Sequence, residues 1–478
     1  MNFNLDHEQR RKLGYRLIDL INSYFDSLPG RAVQLPLEAR SFEQLREAMP
    51  EVGEDAAKVL DDMANELIER GFHVPAANYF GLMNPTPTYM AVLAEAFVAA
   101  INPQLASLAR SQLASKIEGE TVRWIGERIW TSPTRFDGTF TSGGNEANFS
   151  ALAMALAKHF PCAIEDGFAG CGDRPVCYGS TESHHSLDKS VGLLGIGRRA
   201  LRRISVNSRM QLDPQALEQR IMQDLASGFR PFCLIGTAGT TNSGAVDDFH
   251  ALADIAERYG LWFHIDGAYG AAAAFSNAHR DLVRGIERAD SVTIDPHKWL
   301  AMPFAAGIIL TRRAEMLQTT FGVSTPYMPK VTGTTIVDNF KVSAQWSRRM
   351  NSLKLWLTLR VHGRQAYEEL IDRQLKLARQ FADWLKQSEQ FELVSDPQLT
   401  IVNFRLKGVT EDEADATNSA IVDAVTHDGR RWISQTVAGG KNVMRMMVIS
   451  YLTSEKQLAE LEQALVAAAV KVVLAKAR

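Results

Sequence analysis

Between residues 89 and 360, short β-rich runs alternate with helical segments, and this alternation constrains the chain more than any other feature. The runs 138–141, 175–178, 203–206, 232–237, 261–265, 291–294 and 306–311 read as strands. "FHALADIAERYG" (249–260) shows the pattern between them: Leu252, Ala253, Ala256 and Tyr259 share one helical face, Gly260 ends it, and the apolar "LWFHID" begins at once. Repeated strand–helix–strand units predict a mostly parallel sheet covered by helices on both faces.

The flanks read differently. Residues 1–88 predict a helical segment, with helices over 7–27, near 41–48 and over 53–70, followed by the Pro/Gly/Asn-rich connection "FHVPAANYFGLMNPTPT" (72–88). A loop of that length in a compact protein is more often functional than idle. Beyond a long helix near 348–388, the strands "FELVSD", "TIVNFRL" and "VMRMMVISYL" mix with helices at 412–427 and 454–475. The chain is therefore divided into a helical N-terminal segment (1–88), a large α/β domain (89–362) and a small α+β domain (363–478). Its 478 residues exceed what one hydrophobic core organises.

A net charge of -3 supplies no broad positive field, which argues against a nucleic-acid partner. The N-terminus lacks the continuous apolar core of a signal peptide and no later stretch is long enough to span a bilayer, so the chain is expected in the cytoplasm and off the membrane. Cys162, Cys171, Cys177 and Cys233 fit no zinc spacing and read as reduced thiols.

Chemistry-bearing residues cluster where strands end. In "SVTIDPHKWL" (291–300), Lys298 follows an apolar strand, and Trp299, Leu300 and Met302 surround it. Such surroundings partly desolvate an ammonium and favour the free amine that forms an imine. In "HIDGAYG" (264–270), Asp266 ends the strand 261–265, where a carboxylate can keep a heteroaromatic ring nitrogen protonated. Ala268, two residues on, is small enough to let a flat ring lie against the backbone. In "FTSGGNEANFSALAMALA" (140–157), Gly143 and Gly144 open a helix whose N-terminus suits a phosphate, with Asn145 as cap or contact. "YGSTESHHSLDKS" (178–190) offers His184 or His185 for stacking or proton transfer, and "GTAGTT" (236–241) offers the hydroxyls of Thr237 and Thr240. Each motif alone also fits an ordinary surface lysine, helix cap or glycine turn; their joint occurrence is what points to a site.

Together they resemble the group II pyridoxal-5′-phosphate (PLP) dependent amino-acid decarboxylases, the family of the aromatic-L-amino-acid, glutamate and diaminobutyrate decarboxylases. The likeness runs in order from about residue 72 to 365, with "DPHKWL", "LWFHIDGAYG" and "SRRMNSLKLWLTLRVHG" (347–363) as its most specific parts. It implies the fold type I architecture of PLP enzymes and a homodimer with shared active sites, wrapped by the N-terminal helices. It implies Lys298 as the lysine carrying PLP as a Schiff base, Asp266 as the ring-nitrogen partner and His184 as the stacked imidazole. Gly144, Asn145, Thr237, Ala268, Asp295 and His297 fall on cofactor positions. Tyr327 in "STPYMPK" stands at the distance of a mobile-loop tyrosine that protonates the substrate carbon, where aldehyde-forming relatives often carry Phe. Phe80, His184 and Tyr327 are the implied substrate contacts. The sequence departs from the family at Asp295, where many relatives have Asn, and at "LARSQLASKIE" (108–118) and "YFGLMNPTPT" (79–88), which touch substrate choice. Arg445 is left between a substrate carboxylate, a structural salt bridge and a phosphate contact.

Overall fold

The computed structural model describes residues 3–36, 49–131, 134–326 and 337–476. The predicted helix at 41–48 and Tyr327 lie outside them. Two helices, α1 (His7–Ser27) and α2 (Ala56–Arg70), open the described chain, and α3 (Tyr89–Ile101) and α4 (Gln112–Ile129) lead into the main sheet. Asp6 caps α1 in a reciprocal box with Gln9, so the polar start of this segment is fixed locally.

The main sheet has the order β1-β7-β6-β5-β4-β2-β3. Its strands are β1 (Asp137–Thr141), β2 (Pro175–Ser180), β3 (Leu201–Ile204), β4 (Arg230–Thr237), β5 (Trp262–Asp266), β6 (Ser291–Ile294) and β7 (Gly307–Thr311). The pairs from β3 to β6 are parallel, whereas β7 runs antiparallel to both β6 and β1. The parallel core arises because each strand returns through a helix: α5 (Gly144–His159) and α6 (Cys162–Cys171) before β2, α7 (Ser186–Leu193) before β3, α8 (Pro214–Ala226) before β4 and α9 (Phe249–Arg258) before β5. Asp248 caps α9, and Gly260, at φ 64°, turns the chain directly into β5. Successive side chains of β5 face opposite ways: Phe263 and Ile265 enter one apolar core, while Trp262 enters the core formed with α5. This is the fold type I architecture of PLP enzymes, a mostly parallel α/β sheet.

After α10 (Met316–Phe321), the long α11 (Ser352–Gln387) is broken at Gly363, whose φ of 74° no helix interior accommodates. A four-stranded antiparallel sheet follows, ordered β10-β11-β9-β8 from β8 (Phe391–Leu393), β9 (Ile401–Leu406), β10 (Ser434–Ala438) and β11 (Lys441–Met447). α12 (Glu411–Thr426) and α13 (Glu455–Lys476) share a second core with it and the later turns of α11.

One expectation is corrected here. Cys162 and Cys171 are joined by a disulfide between the two ends of α6, with Cα atoms 6.2 Å apart. Gly167, at φ 68°, breaks that short helix and lets its ends face each other. Cys177 and Cys233 are free and buried.

Candidate active site

A cavity of about 380 Å³ opens at the carboxyl ends of β4, β5 and β6, where open parallel sheets bind ligands. Asp266, Lys298, His184 and the Gly143–Gly144 turn all line it. A wider groove of about 830 Å³ near Gly30, Arg430 and Lys456 carries none of the strand-end residues.

Asp266 is placed by the register of β5 and is buried. Its Oδ2 accepts from Asn148 Nδ2 at 2.8 Å and its Oδ1 from the Ala268 amide at 3.2 Å. Lys298 lies on the turn after β6, its amide donating to Asp295 O at 2.9 Å. Its Nζ stands 3.1 Å from Asp295 Oδ2. His297 Nδ1 accepts from the Ala306 amide at 3.0 Å, and its ring lies 4.6 Å from that of Phe304.

The glycine turn is built for a close approach. Gly143 takes φ 148° and ψ 177°, a region open essentially to glycine. The first intrahelical bonds of α5 come from Glu146 and Ala147 to Gly143 O, which leaves the amides of Gly144 and Asn145 ahead of the ladder. A Cβ on Gly144 would sit 2.6 Å from Asp295 Oδ2. Across the cavity, Thr237 is fixed through its amide, which donates to Asp247 Oδ2 at 2.8 Å. Burial pushes the Asp247 carboxyl up to about 6. The buried Thr237 Oγ1 and Asp295 Oδ1 have no hydrogen-bond partner among the described residues.

The neighbouring histidines part company. His184 lines the cavity, and its Nδ1 accepts from the Ser186 amide at 3.1 Å, which directs the ring proton to Nε2. Burial holds its pKa below the ordinary histidine range, against the pull of Asp266. The His185 side chain is 92% exposed and pairs with Asp188.

Phe80 falls elsewhere than expected, and Arg445, which the sequence left open, has its partners here. Phe80 is fully buried in the core of the smaller sheet, because its amide and carbonyl pair with Trp432 and Met447, and it does not line the cavity; Met83, three residues on, does. Arg445 has no carboxylate partner among the described residues. Buried on β11, it donates to the carbonyls of Thr241, at 2.9 Å, and Gly81, tying the loop after β4 to the 79–88 connection. Burial lowers its pKa to about 10. Sequence reasoning missed Asn148 and Met83, and also Phe304, which lines the same cavity.

These features fit PLP: an amine, a buried carboxylate and a glycine-opened helix start share one cavity, and unpartnered oxygens point to a polar ligand. Residues 36–407 match the model of the pyridoxal-dependent decarboxylase conserved domain. The chain belongs to that family. It is 31% identical to an aromatic-L-amino-acid decarboxylase of Bacillus atrophaeus over 96% of this chain and 95% of that one. It is 27% identical to a phenylacetaldehyde synthase of Arabidopsis thaliana, over 95% of each chain. A crystal structure of Oryza sativa TDC with PLP and tryptamine superposes with a TM-score of 0.92 at 24% identity, covering 98% of this chain and 99% of that one, a likeness of fold. The chain is accordingly a PLP-dependent amino-acid decarboxylase. Among the described residues no helix is long and apolar enough to cross a membrane, and no acidic, His or Cys cluster is arranged to hold a metal.

Proposed function

We propose that this enzyme removes the α-carboxylate of an L-amino acid and releases the corresponding amine and carbon dioxide. The observation that carries the reading is the lining of a single cavity by Lys298, Asp266 and the Gly144 turn. When bound, PLP supplies the electron sink for the pair left behind by the carboxylate. The amine of Lys298 would hold the cofactor covalently. Asp266 would hold the ring nitrogen and the amides of Gly144 and Asn145 the phosphate, and Thr237, Asp295 and His297 would add polar contacts. Ala268 would lie against one face of the ring and His184 against the other. The Tyr327 hydroxyl or His184 assists protonation of the substrate carbon, and Tyr327 favours amine over aldehyde as product. Met83 and Phe304, which line the cavity, meet the substrate side chain.

The N-terminal helices dock a second copy of the chain, which makes the working form a homodimer with shared active sites.

The test is to incubate the PLP-loaded enzyme with each proteinogenic amino acid, diaminobutyrate and cysteine sulfinate. Equal molar amounts of amine and carbon dioxide are expected from one class, with none from Lys298→Ala, which also loses the visible absorbance of the holoenzyme. Aldehyde as main product, or carbon dioxide from Lys298→Ala, overturns the proposal.

A further inference from the structure

The polar face of β5 continues away from the cavity. Trp262, His264 and Asp266 alternate along the strand and therefore share a face. β6 runs beside it in parallel, with Ser291 opposite His264 and Thr293 opposite Asp266, and α5 covers both with Asn148. All six side chains are buried, so their polar atoms must be satisfied by one another or by adjoining protein groups such as the Ala268 amide on Asp266 Oδ1.

His264 Nδ1 lies near both the Ser291 hydroxyl and, at 3.2 Å, the Ser291 carbonyl oxygen, and the remaining donors and acceptors favour the hydroxyl as its partner. Trp262 Nε1 can only donate, and it lies 2.8 Å from Ser291 Oγ. The Ser291 hydroxyl proton is then free for His264 Nδ1 at 2.9 Å. His264 Nε2 lies 3.1 Å from Asn148 Oδ1, which also receives the Thr293 hydroxyl at 2.8 Å. Asn148 Nδ2 lies 2.8 Å from Asp266 Oδ2. Turning the amide over would set its oxygen against the carboxylate, and moving the ring proton to Nδ1 would set a bare nitrogen against Asn148 Oδ1. Burial lowers the His264 pKa to about 4, so the ring is neutral and carries a single proton. On its other side Asp266 accepts from the Ala268 amide and interacts with His184, beyond which lie Lys298 and Asp295.

We infer that Trp262, Ser291, His264 and Asn148 form a one-way hydrogen-bond relay that ends on Asp266 and fixes this carboxylate as the acceptor for the ring nitrogen of PLP. Asn148 and His264 are positioning residues: they act on the cofactor through Asp266. Donors aligned head to tail strengthen one another in a low-dielectric interior. The relay rests on the assignment of Asp266 to the ring nitrogen.

The test compares binding of PLP with binding of 1-deaza-PLP, which has carbon in place of the ring nitrogen, by fluorescence titration of the apoenzyme. Asn148→Leu and His264→Phe should each weaken PLP about tenfold, in the range by which outer hydrogen-bond partners tune a bound group. Both should leave the deaza analogue unchanged. His264→Gln, whose amide can still donate to Asn148, should recover most of the PLP affinity. Wild-type PLP affinity in Asn148→Leu and His264→Phe overturns the relay, as does an equal loss for both ligands, which marks a purely structural role. Asp266→Asn separates the two levels. If it discriminates between the ligands and the relay variants do not, the relay alone falls; if it does not, the ring-nitrogen assignment falls with it.

Discussion

At the scale of single residues, His184 and His264 show how position sets protonation. Both rings are desolvated, but His264 is sealed between β5, β6 and α5, whereas His184 meets the cavity and feels Asp266 and Asp295 as well as Lys298 and His185. Burial is the largest influence on His184 and lowers its pKa from the ordinary 6.5. A lowered histidine pKa keeps the ring neutral on the acid side of that value and charges it only beneath the shifted one. The neutral ring, with its one proton on Nε2, is the form that can cover a cofactor face without adding a positive charge beside Lys298. Activity should therefore hold through neutral pH and fall at a pH below about 6.5. His184→Gln should lower kcat about 100-fold and remove that acid limb. A kcat profile in which the variant keeps the same limb would assign the titration to another group.

At the scale of elements, the phosphate-type turn depends on how tightly β7 crosses beneath it. Gly307 pairs with Thr141 at the end of β1, and a Cβ there would stand 2.5 Å from Thr141 Oγ1 and 2.6 Å from the Gly143 carbonyl carbon. Backbone cannot yield as a side-chain tip can, so Gly307→Ala should push the turn outward. A cost of about 1–3 kcal/mol in stability is expected from overpacking of this kind. Apoenzyme melting would register that cost, and a loss of PLP affinity should accompany it. β5, β6 and β7 are legible in the sequence because each is buried throughout and reads as a short, largely apolar run. β10 is not, since its residues alternate between exposed and half-buried and no apolar run marks it. Of the site, Lys298, Asp266, His184 and Gly144 carry visible motif signals, whereas Asn148 and His264 look like stray polar residues inside an apolar helix and strand. The period-two spacing of Trp262, His264 and Asp266 was the one available clue to the relay. Phe80 misleads for the opposite reason: an aromatic residue on an irregular loop reads equally as a substrate contact or as core. The Cys162–Cys171 pairing depends on a break at Gly167 that spacing alone does not announce.

At the scale of the whole molecule, the N-terminal helices have too little to pack against. Neither α1 nor α2 contains a fully buried residue, although α2 carries Val59, Met63 and Leu67 at four-residue spacing along one face. These three side chains are 46%, 51% and 63% exposed. Phe97 and Ile101 extend exposed apolar surface along α3 at the same spacing. Short amphipathic helices gain most of their stability from burying such a face, and a second copy of the chain offers a matching one by symmetry. Light scattering should therefore give twice the 53.0 kDa of one chain. The double variant Met63→Asp, Leu67→Asp places two charges in that stripe and should shift the population towards monomers. Because the proposed sites are shared between subunits, decarboxylation per chain should fall in proportion to the dimer lost and recover at higher protein concentration. A wild-type monomer with full activity at micromolar dilution would break the link between this surface and the site, and would leave the apolar stripe to another partner.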